Sequence, residues 1–334
     1  QDFARSEAAG GTGAVVADIA RFSGYYCAMA LGKDTPPALA PVFQDIRELK
    51  VDVAFPFLLE LYADYKDGVI SEADLVTAAR LVESYVFRRA ICTIPTNSLN
   101  KTFATFAKAL RKDTYLESIR AHLLSLPSYR RFPDDEEFTR EIQARDLYNF
   151  PRRSYLLRRL ENEGRKERVA TDTYTIEHVL PQNPDLSPAW RAELGPEWQR
   201  IQKTYLHTLG NLTLTGYNSE YSDRSFAEKR TMTGGFAESP LRLNEFLRAC
   251  ERWDEVAIRA RAALLARKAA SVWAAPVLEA AVLERYRPRR VEPAAAYTID
   301  DHPYLATGAM HELFEALRRA VLAIDSTVTE EFKL

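Results

Sequence analysis

Residues 174–182 read YTIEHVLPQ and residues 205–230 read YLHTLGNLTLTGYNSEYSDRSFAEKR, and these two segments decide the fold expected for the chain. The first segment is rich in β-forming residues, and the alternation at 213–215 is typical of a second strand. A polar turn follows, in which we expect Ser222 to cap a helix that begins ahead of Phe226. The sequence therefore predicts two strands followed by a helix.

Residues with chemical potential recur along these segments in a recognisable order. They are Glu177, His178, Pro181, Gly210, Asn211, Asn218 and Lys229. This order resembles the HNH (His-Me finger) endonucleases, in which strand, strand and helix form a ββα-metal site. Taken in full, the two segments resemble the nuclease domain of GmrSD-type modification-dependent restriction endonucleases. The resemblance is close over the middle third of the chain and extends more loosely from RRAICTIPTNSLNKTF (88–103) to Trp273.

The resemblance implies metal-dependent hydrolysis of a DNA phosphodiester bond. His178 is the expected general base, because a neutral imidazole can accept a proton from water near pH 7. Glu177 and Asn218 are the expected ligands of Mg²⁺ or Mn²⁺, since these hard cations prefer oxygen donors. Lys229 and Arg230 are expected to contact a phosphate. The expected catalytic residues are His178, Asn211, Asn218 and Lys229.

Several of these residues also have an ordinary structural interpretation. Asn211 follows a glycine, which favours a role in fixing the hairpin. Glu177 is open between a metal ligand and a salt-bridge partner. Neighbouring strand residues point to opposite faces, so Glu177 and His178 share one site only if the strand ends or bulges, as Pro181 allows. The remaining histidines lie outside the motif: His207 is expected to be structural, and His122, His302 and His311 are expected at the surface.

Arginines gather just before the first strand, in PRRSYLLRRLENEGRKERV (151–169). A ridge of this kind could contact DNA phosphates and lead into the site. Solvated helix faces are the alternative, and the two interpretations are left open. The expected DNA-binding residues are Arg152, Arg153, Arg158, Arg159, Lys229 and Arg230.

The fold class expected is mainly α. Apolar residues recur at helical spacing through the N-terminal half, as in Val15–Leu31, and Ser71 with Asp74 forms a capping box. These patterns predict an N-terminal helical bundle, an embedded ββα-metal motif and a helical C-terminal region with a small α or α+β tail. The expected divisions are a helical domain at 1–170, a nuclease domain at 171–275, a linker at 276–296 and a truncated accessory domain at 297–334.

Composition limits the class of protein. With 334 residues and 46% hydrophobic content, the chain can bury one large core or two moderate ones. The net charge of −2 means that DNA binding must come from a local basic face. Cys27, Cys92 and Cys250 lie far apart without a CxxC pair, which excludes a cysteine zinc ribbon and indicates a reducing compartment. Without a long apolar run, we expect a cytoplasmic protein and no membrane partner.

The expected partner is double-stranded DNA that is modified or of phage origin. Relatives of the kind resembled usually carry an N-terminal nucleotide-hydrolysing sensor domain, and the chain contains no GxxxxGK[ST] motif. We therefore expect a fragment of a longer protein whose sensor domain is absent here, and a homo-oligomer is left open. Two other functions remain: a DNA-binding or modification-sensing module with weak or no catalysis, and a helical interaction protein.

Overall fold

A computed structural model describes residues 11–287, 305 and 307–324 of the chain. The chain divides into two units, Gln1–Tyr286 and Arg287–Leu334. The described residues are mainly helical and contain a single two-stranded sheet. The prediction of a mainly α protein is therefore confirmed.

Eight helices precede the first strand in the described part of the chain. They are α1 (Gly11–Tyr26), α2 (Ala40–Leu49), α3 (Phe55–Lys66), α4 (Glu72–Ile91), α5 (Leu99–Phe106), α6 (Tyr115–Ser125), α7 (Asp135–Ala144) and α8 (Arg153–Asn162). A π-helical turn, Cys27–Leu31, extends α1. The predicted capping box at the start of α4 is present, since the Ser71 side chain accepts from the Asp74 amide and the Asp74 carboxylate accepts in return.

The rest of the first unit contains the sheet and shorter helices. These elements are β1 (Thr175–His178), α9 (Pro188–Leu194), α10 (Trp198–Tyr205), β2 (Leu212–Thr215), α11 (Asn218–Tyr221), α12 (Phe226–Thr231), α13 (Glu245–Ala249), α14 (Glu255–Val272) and α15 (Ala280–Glu284). The two strands pair antiparallel, with Glu177 opposite Thr213 and His178 opposite Leu212. The predicted order of strand, strand and helix is thus observed, with α9 and α10 inserted between the strands.

The predicted cap of α12 is wrong. Ser225, and not Ser222, is the N-cap: its hydroxyl accepts from the Glu228 amide, and the Glu228 carboxylate accepts from the Ser225 amide. Ser222 instead lies in the turn before the helix with a φ of 41°. The Ser-x-x-Glu spacing at 225–228 is the capping-box signal that identifies the correct residue.

Two hydrophobic cores fill the first unit. The larger one runs from Ala28 to Trp273 and includes residues of both strands, such as Leu212. In this core the Trp273 ring stacks on Phe87 of α4, with 4.0 Å between ring centroids. The smaller core surrounds Trp190 and Trp253. The larger core contains residues from both sides of the predicted boundary at 170/171, and the four predicted divisions stay predictions.

Three expectations on the remaining chain have different outcomes. His122 is not a simple surface residue, because it packs on Phe106 and its buried Nε2 has no hydrogen-bond partner among the described residues. In the second unit, α16 (Gly308–Leu322) is described, and the Nδ1 of His311 lies 2.8 Å from the Leu305 carbonyl. His302 and much of the predicted linker lie outside the described residues.

No helix in the described ranges combines the length and the apolar character that a membrane span requires.

Candidate active site

The hairpin and the helices after it converge at the end of β1. The Asn218 side-chain amide donates to the Ile176 carbonyl at 3.0 Å, and the Lys229 ammonium donates to the His178 carbonyl at 3.1 Å. These two side chains tie α11 and α12 to β1, so that residues widely separated in sequence meet beside His178.

Lys229 is a buried structural cation. Its side chain is 0% exposed, and its Nζ donates to Glu177 Oε1 at 2.6 Å, His178 O at 3.1 Å and Val179 O at 3.2 Å. Three acceptors use all three protons of an ammonium group. The three donors of Lys229 are therefore occupied within the protein, which favours a structural role, and its expected phosphate contact and catalytic role stay predictions.

Glu177 is the partner that balances this charge. Its side chain is 5% exposed and points to Lys229, whereas the neighbouring His178 side chain reaches a different set of partners. Burial raises the pKa of Glu177, and the ammonium of Lys229 opposes that effect. The salt-bridge interpretation of Glu177 is thus observed, and any cation at this carboxylate would have to share it with Lys229.

His178 lies in a cluster of rings at the strand end. It is 4% exposed, its Nε2 lies 3.0 Å from Nδ1 of His207, and the Tyr148 ring packs edge-on against it at 4.5 Å. Burial, followed by repulsion from His207 and Lys229, lowers the pKa of His178 to about 3. The imidazole is therefore neutral at pH 7 and carries one basic ring nitrogen.

His207 belongs to the site, although the sequence pattern predicts only a structural role for it. It is half-buried and stacks on Tyr148 at 5.2 Å with an interplanar angle of 12°. Its carbonyl accepts from the amides of Leu147 and Tyr148. Asp146 lies next to this pair: partial burial raises its pKa, but hydrogen bonds from Asn149 and the nearby His207 outweigh burial and lower it. Exposed Asp146, half-buried His207 and buried His178 thus form a series of increasing burial.

Asn211 is a fully satisfied core residue. Its Oδ1 accepts from the Leu180 amide at 2.7 Å and from Trp253 Nε1 at 3.2 Å, and its Nδ2 donates to the carbonyls of Leu180 and Leu206. The side chain is completely buried. Asn211 therefore fixes the loop after β1, which favours its structural interpretation, and its place among the catalytic residues stays a prediction.

Asn218 and Asp223 supply oxygen atoms near the outer side of β1. Asn218 is half-buried at the start of α11, and its Nδ2 is engaged by Ile176, so Oδ1 is the atom suited to a cation. Asp223 is exposed and lies close enough to Glu177 and Lys229 to influence the pKa of both. The sequence pattern does not single out Asp223, because its only local signal is that it is an acidic residue in the turn before α12.

The donor set is compatible with a hard cation but does not form a closed metal centre. In the parts of the chain that are described, no three His, Cys, Asp or Glu side chains are grouped so that they could hold a metal ion. Magnesium is commonly held by one or two carboxylates together with substrate phosphates, and it keeps several waters. Glu177, Asn218 and Asp223 fit that open type of site by the chemistry of their oxygen atoms.

The arginine ridge is largely absent from the surface. Arg158 pairs with Asp45 at 2.6 Å and Glu48 at 2.7 Å, and Arg159 pairs with Glu83 at 2.9 Å. Both guanidinium groups are buried and join α8 to α2 and α4, which favours a structural role, and the expectation that they bind DNA stays a prediction. The sequence could not show these ion pairs, because Asp45 lies 113 residues from Arg158 and Glu83 lies 76 residues from Arg159.

The other expected DNA contacts remain accessible to different extents. Arg153 is exposed, with its guanidinium 5.1 Å from the Tyr148 ring centroid. Arg152 is half-buried and donates to the Leu49 carbonyl. Arg230 is half-buried and donates to the Arg248 carbonyl. Arg153 is thus the arginine that lies both at the surface and against the ring cluster of His178.

Comparison with known proteins finds one family that resembles part of the chain. Residues 132–268 match the model of a protein family described as GmrSD restriction endonucleases, C-terminal domain. The matched segment contains the hairpin, the ring cluster and the helix that carries Lys229. The match implies a role related to restriction endonucleases. No curated protein and no solved structure matches the chain.

Proposed function

We propose that the chain is a metal-dependent, HNH-type DNA endonuclease of a modification-dependent restriction or antiphage defence system. The observation that carries this proposal is that the segment matching the GmrSD C-terminal domain contains a neutral histidine at the end of a β-hairpin. The substrate is double-stranded DNA, modified or of phage origin. The cellular setting we propose is the cytoplasm, with a nucleotide-hydrolysing sensor domain of the same protein as partner and a homo-oligomer as a further option.

His178 acts as the general base in this proposal. In the tautomer in which His178 Nε2–H donates to His207 Nδ1, the Nδ1 of His178 is the nitrogen able to accept a proton from water. A pKa of about 3 makes the buried imidazole a weak base, so proton transfer needs the contact with His207 and the nearby Asp146. The half-buried His207 offers a path from the buried ring toward solvent.

Glu177 and Asn218 would hold Mg²⁺ or Mn²⁺, with Asp223 as an additional oxygen donor. A cation bound there would neutralise phosphate charge and stabilise the leaving oxygen. Because Lys229 already balances the charge of Glu177, the protein side chains alone give a weak site. DNA phosphate oxygens would complete it, so that cation and DNA bind together. Arg153 lies on the exposed side of the ring cluster and is the side chain best suited to contact the DNA backbone.

A DNA-binding or modification-sensing module with weak or no catalysis is the alternative function. The deep burial of His178 and the mutual neutralisation of Glu177 and Lys229 favour it. Both features hold the elements of the hairpin together and would persist without any reaction.

Plasmid cleavage by the purified chain separates the two functions. With Mg²⁺ or Mn²⁺ we expect nicking or double-strand cleavage, which His178→Ala reduces by about 10²–10⁴-fold because a general base is lost. His311→Ala, a histidine variant in the second unit, is the matched control and should cut like the parent. Equal cutting by His178→Ala and the parent contradicts the catalytic assignment. DNA binding without cutting by the parent, with either metal, favours the module.

A further inference from the structure

A cavity lies against the loop that precedes α8, in which Tyr148 packs on the ring of His178. We call it the Arg89 cavity, and its volume is about 730 Å³. It is formed by the ends of α2 and α4, the start of α5 and the loop residues Arg145 and 150–152. Much of its wall comes from the segment RRAICTIPTNSLNKTF (88–103), to which the proposed nuclease function assigns no role.

Four cations and one carboxylate line this cavity. The cations are Lys50, Arg89, Arg145 and Arg152, and the carboxylate is Asp52. None of the four forms an ion pair with any carboxylate of the described residues, in contrast to the buried Arg158 and Arg159. The four cations outnumber the single carboxylate of the lining, so the cavity carries a net positive charge, which favours an anionic occupant.

Arg89 is the most informative of these cations. It is 1% exposed, and its terminal nitrogens donate to Tyr129 O at 2.8 Å, Pro95 O at 2.7 Å and Ser98 Oγ at 3.0 Å. Its Nε is buried and has no partner among the described residues. A buried, unsatisfied donor on a charged side chain is rare, because each such group loses its hydration without compensation. Because this Nε is shielded from solvent, as are those of Arg130 and Arg261, a ligand in the cavity would meet the positive charge of Arg89 and not this atom.

The remaining wall is apolar below and polar at the rim. Buried Leu49, Val51 and Phe150 line the cavity, while the side chains of Asn97 and Asn100 are exposed at its edge. An apolar wall holds a ring, and exposed amides can donate to and accept from the heteroatoms on a ring edge. The volume lies within the range of small-molecule sites, roughly 300–1,000 Å³.

We propose that the Arg89 cavity binds a nucleotide, with the phosphate at the cations and the base between the apolar wall and the rim amides. A nucleotide combines a phosphate, a flat ring and a hydrogen-bonding edge, which are the three features that the lining residues would recognise. The same chemistry is offered by a free nucleotide and by a nucleotide exposed in a single strand. This proposal does not depend on DNA cleavage by the chain.

The position of the cavity connects it to His178. Arg145 and Arg152 line the cavity, and between them Leu147 and Tyr148 donate their amides to the His207 carbonyl. The Tyr148 ring packs on both His178 and His207. A nucleotide in the cavity would therefore fix the loop that holds the ring cluster.

Calorimetric titration of the full chain with dCMP, deoxycytidine, inorganic phosphate and a short single-stranded oligonucleotide tests the site. Lys50→Asn removes a cation at a position where φ is 53°, and asparagine tolerates that conformation. Arg152→Gln removes a second cation. Lys101→Asn is the matched control, since Lys101 is exposed on α5 and does not line the cavity. Thermal melting checks that each variant is folded.

We expect dCMP or the oligonucleotide to bind the parent, and Lys50→Asn and Arg152→Gln each to weaken binding about tenfold, as the loss of one charged contact predicts. Deoxycytidine and phosphate should bind more weakly than dCMP. Tighter binding of dCMP identifies a free nucleotide as the occupant, and tighter binding of the oligonucleotide identifies a strand. Absence of binding by both probes, or equal weakening by Lys101→Asn, overturns the proposal. Binding is measured without DNA cleavage, so a failed cleavage test leaves this result interpretable.

Discussion

At the scale of single residues, the site is governed by how buried charges are satisfied. Lys229 and Glu177 neutralise each other beneath the surface, and two backbone carbonyls of the strand end use the remaining protons of the ammonium. Taking a charge out of water is costly unless partners replace the solvent. The pair therefore fixes α12 on β1, and removal of one member should be felt throughout the hairpin.

We predict that Lys229→Met lowers the free energy of unfolding by about 3–5 kcal/mol, because Glu177 is left buried without its partner. The Glu177→Gln/Lys229→Met double variant should lose less than the sum of the single variants, since no buried charge remains. Urea denaturation measures both. Lys203→Met, which changes an exposed lysine of α10, is the control and should stay within about 0.5 kcal/mol of the parent. A Lys229→Met protein as stable as the parent would contradict the buried pair.

The residue scale also shows what a sequence can reveal. The motif order brings attention to His178 and Asn218, because both lie at element ends that local patterns predict. His207 is 29 residues from His178, and only the path of α9 and α10 brings its Nδ1 to 3.0 Å from Nε2 of His178. Arg158 and Arg159 look like a solvated or DNA-binding pair until the acids of α2 and α4 are placed beside them. Contacts between distant elements are not encoded in local periodicity.

At the scale of elements, α12 begins with a capping box. The Ser225 hydroxyl accepts from the Glu228 amide in the first turn of α12, and the Glu228 carboxylate accepts from the amide of the N-cap Ser225. Ser222, three residues earlier, occupies a turn with φ 41° and ψ −133°, a region that glycine adopts readily and other residues rarely do. The backbone at Ser222 thus favours glycine, whereas Ser225 needs its hydroxyl to cap the helix.

We predict that Ser225→Ala lowers the free energy of unfolding by about 0.5–2 kcal/mol through loss of the cap. Ser222→Gly should raise it or leave it unchanged, because glycine relieves the left-handed backbone there. Denaturation curves of the two variants, measured side by side, provide the comparison. Ser222→Ala serves as the control for loss of a hydroxyl at the other serine. If it lowers the free energy of unfolding as much as Ser225→Ala does, and Ser222→Gly also lowers it, the assignment of the cap to Ser225 is wrong.

At the scale of the whole molecule, the helices before the hairpin and the long helix after it share one core. Trp273 is completely buried at the end of α14, stacks on Phe87 and donates its indole N–H to the Tyr155 hydroxyl at 2.7 Å. Buried Arg88 of α4 in turn donates to the Trp273 carbonyl. Apolar periodicity predicts each helix of this arrangement but not the pairing of α4 with the end of α14.

We predict that Trp273→Ala lowers the free energy of unfolding by about 3–5 kcal/mol, as expected for a large aromatic residue removed from a core. Because the larger core spans both sides of residue 170, the described part of the first unit should unfold in a single transition that shifts as one in the variant. Circular dichroism and tryptophan fluorescence, followed during the same denaturation, measure this. Two separate transitions, of which Trp273→Ala moves only one, would instead support independent domains on either side of residue 170.

The enclosure of the Lys229 amine has a practical consequence. Acylating reagents modify lysines whose amines meet solvent, as those of Lys101 and Lys203 do in the folded chain. Lys229 is shielded and held by three acceptors, so it reacts only in molecules whose α12 has moved off the strand. Its rate of acylation, read by mass spectrometry, would therefore report how often the hairpin opens.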